Sequence, residues 1–439
     1  MELRSGRSST RGRAQRLVPL RIGGAVVFSQ PLSFARRYVV TPLMKNSFHS
    51  FDALVVGSGF AGAVLAERMA SQRHWRVLLI ERRQHIGGNM YDCLDARGIL
   101  VHRYGPHIFR TDSAKVWNYL SQFTQWRAYE HRVLAMVDGQ LVPVPFNLTS
   151  IDRLFPVERA ERLKTKLHQK FGGREGVPVR ELMGQTDGDL AELGGYIFEK
   201  IYRHYTRKQW GLLPEAIDFE ATTRRVPVRL SRDDRYFQQR FQGIPAQGYT
   251  RLFERMLNHP NIAVECSQDA RAMIELDEKN GRILVAGRIF DGPVIYSGAI
   301  DELFGNQYGP LPWRALRFEF ESLPMERFQP VAVVNYPNEH AFTRITEFKH
   351  LTGQVDARWT SIVREYPLDY APNRGLEPAY PVLCEESRQL LGQYRRAAEK
   401  YQNLWLVGRL AEYRYYDMND IVSRALDICE ELDSALNKN

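Results

Sequence analysis

The chain has 439 residues, 44 % of them apolar and 25 % charged, which excludes a disordered polymer and leaves room for two to four domains at roughly 100–200 residues each. Sixty basic and 51 acidic side chains give a formal charge of +9, but almost all of the excess lies in Arg4, Arg7, Arg11, Arg13, Arg16, Arg21, Arg36, Arg37 and Lys45, so the nearly neutral remainder argues against a nucleic-acid partner. No apolar run approaches the ~18 residues of a membrane-spanning helix, and Cys93, Cys266, Cys384 and Cys429 lie too far apart for a disulfide scaffold or zinc knuckle, which points to a reducing, cytoplasmic setting.

Residues 1–50 form a basic leader with three readings: an organelle transit peptide, a tail for acidic surfaces, or an over-extended reading frame whose native start is Met44. Ala53-Leu54-Val55-Val56 then reads as a strand buried on both faces. It runs into Gly57-Ser58-Gly59-Phe60-Ala61-Gly62, a helix through Val64, Leu65 and Met69, and a second strand 76–80 ending at Glu81. Strand, glycine turn, helix, strand and acid make a dinucleotide site. The glycines let backbone amides approach a pyrophosphate at the helix N-terminus, and an acid about 20 residues beyond Gly59 accepts from a ribose hydroxyl. Arg82, Gly88 and Asn89 continue this unit in a basic Gly-Gly turn that resembles the extended FAD fingerprint of glutathione-reductase-like flavoproteins.

Further along, 132–137 and 141–146 flank Asp138-Gly139, a hairpin signal. Apolar positions Leu154, Ala160, Leu163, Leu167 and Phe171 recur at helical spacing from Asp152 onwards, and Leu190, Leu193, Ile197, Ile201 and Tyr205 form a second stripe. Residues 262–298 return to the nucleotide domain, while 316–320, 331–336, 343–349 and 360–366 predict an antiparallel sheet with one wet face. Residues 403–407 predict another buried strand, stopped by Gly408-Arg409. The last helix has Ile421, Val422, Ala425, Ile428, Leu432 and Leu436 on one face and Asp417 or Asn419 as N-cap. The fold class is therefore α/β: a Rossmann-like FAD-binding domain (51–130, 241–305 and 401–439), an inserted helical domain with a substrate loop (150–215) and an antiparallel β-sheet domain (131–149, 216–240 and 306–400). His85, His340 and His350 show no metal-ligand spacing.

Tyr104-Gly105-Pro106-His107-Ile108-Phe109, Tyr205-Thr206-Arg207-Lys208-Gln209-Trp210-Gly211, Arg225-Val226-Pro227-Val228-Arg229, Arg235-Tyr236-Phe237, Thr343-Arg344-Ile345, Arg364-Glu365-Tyr366, Gly408-Arg409-Leu410 and Tyr415-Tyr416-Asp417 together resemble the bacterial-type UDP-galactopyranose mutases, from about residue 51 to the end. The resemblance implies a homodimeric isomerase that binds FAD and interconverts UDP-galactopyranose and UDP-galactofuranose for cell-surface polysaccharide. It implies that N5 of reduced flavin attacks the anomeric carbon and displaces UDP, and that NAD(P)H or a flavin reductase supplies the electrons. It places Arg225 and Arg344 at the phosphates, where a guanidinium fork meets charge developing on the leaving group. Arg224 competes with Arg225, because the chain is one residue longer than the common pattern there. The resemblance places Tyr236, Tyr366 and Tyr415 as hydroxyl donors to the same pyrophosphate, Tyr205 on uracil, and Tyr202, Thr206 and Asn335 in the nucleotide pocket. Trp210 opens the substrate loop and Asp417 is the acid of the substrate pocket. Gly57, Gly59, Phe60, Gly62, Glu81, Arg82, Gly88, Asn89, Gly105, His107, Arg409 and Met418 fall to the cofactor. The rival readings are an amine oxidase- or desaturase-like flavin oxidoreductase, which shares the nucleotide fold, and a non-catalytic protein docking through the leader.

Overall fold

Apolar runs with no polar alternation bury both faces, and the chain begins with two of them. A computed structural model describes residues 50–212, 227–372 and 375–436. Nearly all of the leader, together with Arg224 and Arg225, lies outside the described residues. Ala53–Val56 (β1) and Val77–Glu81 (β2) are buried throughout. With Ile262–Cys266 (β3), Val294–Tyr296 (β4) and Leu404–Leu406 (β5) they form a parallel sheet of order β3-β2-β1-β4-β5. Phe60–Arg73 (α1) is apolar on nearly every side, because it lies between this sheet and Met418–Leu436 (α2). Ile421, Val422, Ala425, Ile428 and Leu432 of α2 supply that contact.

A seven-stranded sheet carries the other half. Its order is Pro378–Pro381, Trp313–Leu323, Thr360–Asp369, Arg344–Glu347, Val333–Asn335, Val133–Val137 and Gln140–Val144. The hairpin at Asp138-Gly139 forms with both residues at positive φ (47° and 78°), the twist that suits a two-residue turn. One departure from an antiparallel sheet is the parallel pairing of Val333–Asn335 with Val133–Val137. The two strands come from distant parts of the chain, so no tight turn dictates their sense.

The helical insertion departs from the sequence expectation twice. The stripe expected from Asp152 to Phe171 is two helices, Leu148–Leu154 and Val157–Phe171, broken where Pro156 offers no N–H. The stripe from Leu190 to Tyr205 is interrupted by a π-helical turn, Phe198–Arg203, between Gly188–Ile197 and His204–Trp210. Within 216–240, expected in the sheet domain, Val228–Arg229 pair instead with Gly176–Val177 of the helical insertion. An isolated bridge, Arg132 to Arg235, and amide bonds from Tyr236 to His131 and from Arg229 to Phe146 tie the segment to the chain on either side of the hairpin. A small sheet of Phe109–Thr111, Phe241–Pro245 and Trp126–Ala128 connects the halves.

Candidate active site

A cleft of about 810 Å³ runs between the parallel sheet and the seven-stranded sheet, near the upper end of ligand pockets at roughly 300–1,000 Å³. At one end, Gly57 turns the chain at φ +95°, and Gly59 is the N-cap of α1 with no side chain to satisfy the helix's first amides. Gly59 and Gly88 come so close that a Cβ on Gly88 would lie 3.0 Å from the Gly59 Cα. Glu81 accepts from the Ser58 amide at 2.9 Å and the Ser58 hydroxyl at 2.6 Å, so the acid is fixed beside the turn. Arg82 reaches Glu377 (2.8 Å) and Glu302 (3.4 Å). Uncapped amides, close glycines and a positioned carboxylate fit a dinucleotide diphosphate and ribose. Phe60, Asn89, Arg409 and Met418 line the same cleft, and Arg409 donates to the Ala379 and Tyr416 carbonyls. Gly62 and Gly105 do not line it. Gly62 lets α1 approach β1, and Gly105 turns its loop at φ +87°.

At the other end stand Tyr205, Tyr236, Asn335, Arg344, Tyr415 and Asp417. Arg344 and Glu365 are direct cross-strand partners, with Nε 2.8 Å from Oε1. Burial disfavours the charge on Arg344, but its neighbours, the Glu365 carboxylate first among them, together hold the guanidinium pKa well above its usual value. Glu365 is 1 % exposed and Arg344 is 26 % exposed. The carboxylate therefore sits behind and the cation faces the cleft. Asp417 is engaged by Arg110 Nη2 at 2.7 Å and by the Tyr415 hydroxyl at 3.2 Å. At the start of α2 the Asp417 amide donates to Asp420 Oδ2 at 3.1 Å.

Other expected residues lie elsewhere. Tyr202 and Thr206 are buried beside Tyr205, outside the cleft lining. Trp210 ends its helix and meets Tyr380 with ring centroids 5.8 Å apart. Tyr366 does not line the cleft. It follows Glu365 on the same strand, and strand alternation turns it to the opposite face, where Arg317 lies 4.1 Å over its ring. Tyr380 lines the cleft instead, stacked with Tyr415 at 6.2 Å. Sequence reasoning also missed Arg110, which follows the last residue of the Tyr104–Phe109 motif. It missed His131 too, an isolated histidine with no motif to mark it. Among the described residues no group of three or more His, Cys, Asp or Glu side chains could hold a metal ion, and no helix is long and apolar enough to cross a membrane.

The histidines in and around the cleft should make the protein acid-sensitive. Burial pushes His85 and His102 down to about 4; burial, with His102 and Arg409 nearby, pushes His107 down to about 3, and burial with the Arg344 charge does the same to His131. Unfolding restores the usual 6.5. Between these values the unfolded chain binds protons that the folded chain refuses, so stability falls as pH is lowered from about 6.5. Each of the fully buried pair His102 and His131 contributes about 1.4 kcal/mol per pH unit in that window. Calorimetry in buffers of different ionisation enthalpy at pH 5 should find these four rings taking up about three to four protons on unfolding. Uptake below one would contradict the burial of neutral imidazoles.

Comparison with known proteins finds relatives along most of the chain. A family model described as UDP-galactopyranose mutase matches residues 200–415, and one described as an NAD(P)-binding Rossmann-like domain matches 55–123. The UDP-galactopyranose mutase of Mycoplasma genitalium is 35 % identical over 393 residues, 88 % of this chain and 96 % of that protein. The UDP-galactopyranose mutase of Mycoplasma pneumoniae is 33 % identical over 392 residues, 88 % and 97 % of the two chains. The dTDP-fucopyranose mutase of Escherichia coli is 34 % identical over 382 residues, 86 % and 97 %. A crystal structure of reduced UDP-galactopyranose mutase superposes with a TM-score of 0.68 at 16 % identity, covering 88 % of this chain and 94 % of that one, a likeness of fold.

Proposed function

The chain belongs to the UDP-galactopyranose mutase family, and from that premise we propose that it interconverts UDP-galactopyranose and UDP-galactofuranose with reduced FAD. One observation carries the reading: a single cleft joins a dinucleotide cradle at one end to a buried-carboxylate-backed arginine among tyrosines at the other. Reduced flavin supplies the nucleophile for the anomeric carbon. Gly57, Gly59, Glu81, Arg82, Gly88 and Asn89 hold its dinucleotide, and His107, Arg409 and Met418 hold the remainder, with Gly105 turning the loop that carries His107. Tyr205, with Tyr202 and Thr206 behind it, receives the uracil, and Asn335 the nucleoside. Arg344 meets the negative charge gathering on the departing diphosphate, where a fixed donor in a water-poor site costs no reorganisation. Tyr236 and Tyr415 add hydroxyl donors, Tyr380 takes the place expected of Tyr366, and the second cation is assigned to Arg225, with Arg224 as its rival. The enzyme works as a cytoplasmic homodimer, reduced by NAD(P)H or a flavin reductase, and its product feeds cell-surface polysaccharide.

The test is turnover of UDP-galactofuranose by dithionite-reduced and oxidised enzyme. Reduced enzyme should equilibrate the two sugar nucleotides and oxidised enzyme should be nearly silent. Equal rates would overturn the flavin chemistry. The identity to the dTDP-fucopyranose mutase favours a second reading. The same assay with dTDP-fucofuranose decides it by the ratio of kcat/KM values. An oxidoreductase reading rests on fold alone.

A further inference from the structure

The loop 103–107 carries Tyr104, Pro106 and His107 into the cleft, and neither a helix nor a strand holds it. Beside the Arg103 amide's bond to the Tyr91 carbonyl and the packing of Arg83 over the Tyr104 ring, two hydrogen bonds to histidine side chains anchor it. The Tyr104 hydroxyl donates to His85 Nε2 at 2.8 Å, since His85 Nδ1 faces the Ile86 carbonyl at 3.0 Å and must carry the ring's proton. At the far end, the His107 amide donates to His102 Nδ1 at 3.0 Å. His102 is 1 % exposed and lies outside the cleft, at the end of the strand Leu100–His102.

This contact fixes the chemistry of His102. A backbone amide can only donate, so Nδ1 keeps its lone pair and the proton sits on Nε2. Nε2 is buried without a hydrogen-bond partner. It lies among Phe348 and the edge-on ring of Tyr249, with centroids 5.8 and 5.6 Å away. A buried unpaired N–H costs about 1–3 kcal/mol. A leucine of similar volume would avoid that cost. The ring's polar function therefore lies in Nδ1, and what Nδ1 holds is the residue that faces the cleft.

We propose that His102 is a positioning residue for the flavin site, locked as the Nε2–H tautomer so that Nδ1 pins the His107 amide and sets the 103–107 loop against the cofactor. The inference rests on the flavin reading given above. Pinning is needed because Gly105 at φ +87° and Pro106, which has no amide proton, leave the loop few backbone bonds of its own. Beyond the loop, a Cβ on Gly105 would lie 3.5 Å from Glu365 Oε1. The loop is thus fitted between His102 and the carboxylate that backs Arg344.

The experiment uses the purified holoenzyme and three variants: His102→Asn, whose Oδ1 can accept where Nδ1 does; His102→Gln, which places its amide at the Nε2 position; and His102→Leu. Flavin dissociation constants, visible flavin spectra and midpoint potentials are read beside Tm. Leu and Gln should weaken flavin binding at least tenfold and shift the spectrum and the potential. Asn should stay within threefold of wild type on binding and keep its spectrum. Wild-type binding and spectrum for Leu would overturn the proposal. So would equal losses for Asn and Leu that follow Tm, which would make the ring merely structural. Should a variant fail to fold, nitrogen NMR of labelled histidine in the wild-type holoenzyme still decides. A protonated Nδ1 on His102 would overturn the proposal. Purification of wild-type chain that binds no flavin would instead sink the reading on which it rests.

Discussion

Replacing Arg344 with alanine should lower turnover of the sugar nucleotide by about 10²–10³-fold, the loss of roughly 2.7–4 kcal/mol seen when one preorganised donor to a developing oxyanion is removed. The geometry explains the size. Arg344 and Glu365 face each other across two hydrogen-bonded strands, so the guanidinium is held before substrate arrives, and the carboxylate behind it keeps it charged. A second effect is superimposed. Without its cation, Glu365 is left as a buried unpaired charge, and breaking such a pair costs about 3–5 kcal/mol of stability. The two effects separate in the double variant Arg344→Ala/Glu365→Ala. Its Tm should recover most of what Arg344→Ala loses, while its kcat should stay as low. Recovery of kcat together with Tm would show that Arg344 acts on the fold and not on the substrate. Flavin content should be unchanged in all three proteins.

What the sequence made legible follows the range over which each signal acts. The β1–turn–α1–β2 unit was readable because apolar runs, glycine spacing and the terminal acid agree within thirty residues. The Asp138-Gly139 hairpin was readable for the same reason. The pairing of Val333–Asn335 with Val133–Val137 was not, since no local pattern announces a partner two hundred residues away. Tyr366 shows the limit most sharply. Adjacent residues on a strand face opposite sides, so a motif containing Glu365 and Tyr366 can send only one of them into the cleft, and it sends Glu365 towards Arg344. Tyr380 lies in a short edge strand bounded by Pro378 and Pro381, with no periodicity to mark it. The cleft itself is assembled from segments spread across the chain from Val56 to Ile421. Its partners Arg110 and Asp417 become visible as a pair only once the strand Phe109–Thr111 lies beside the start of α2.

The glycine turn yields the other large effect, because two of its glycines do different work. A Cβ at Gly62 would lie 2.0 Å from the Gly57 carbonyl oxygen and 2.9 Å from Val55 Cγ1. Neither is the far end of a flexible side chain. To admit one methyl, α1 must move off β1, and both are buried in the same core. Gly62→Ala should therefore cost about 3 kcal/mol or more, at the upper end of overpacking penalties, and leave little soluble protein and no flavin. Gly59 has φ −68°, which alanine adopts without strain, and the nearest atom to its Cβ would be Gly88 Cα at 3.9 Å. Gly59→Ala should keep the Tm of the flavin-free protein within a degree or two. It should nevertheless lose flavin, because the added methyl stands where the diphosphate must approach the helix amides. Thermal melts of the two flavin-free proteins beside their visible flavin absorbance distinguish the roles. If Gly62→Ala melted like wild type, the contact of α1 with β1 would not need a glycine. If Gly59→Ala held flavin normally, the diphosphate would have to lie elsewhere in the cleft.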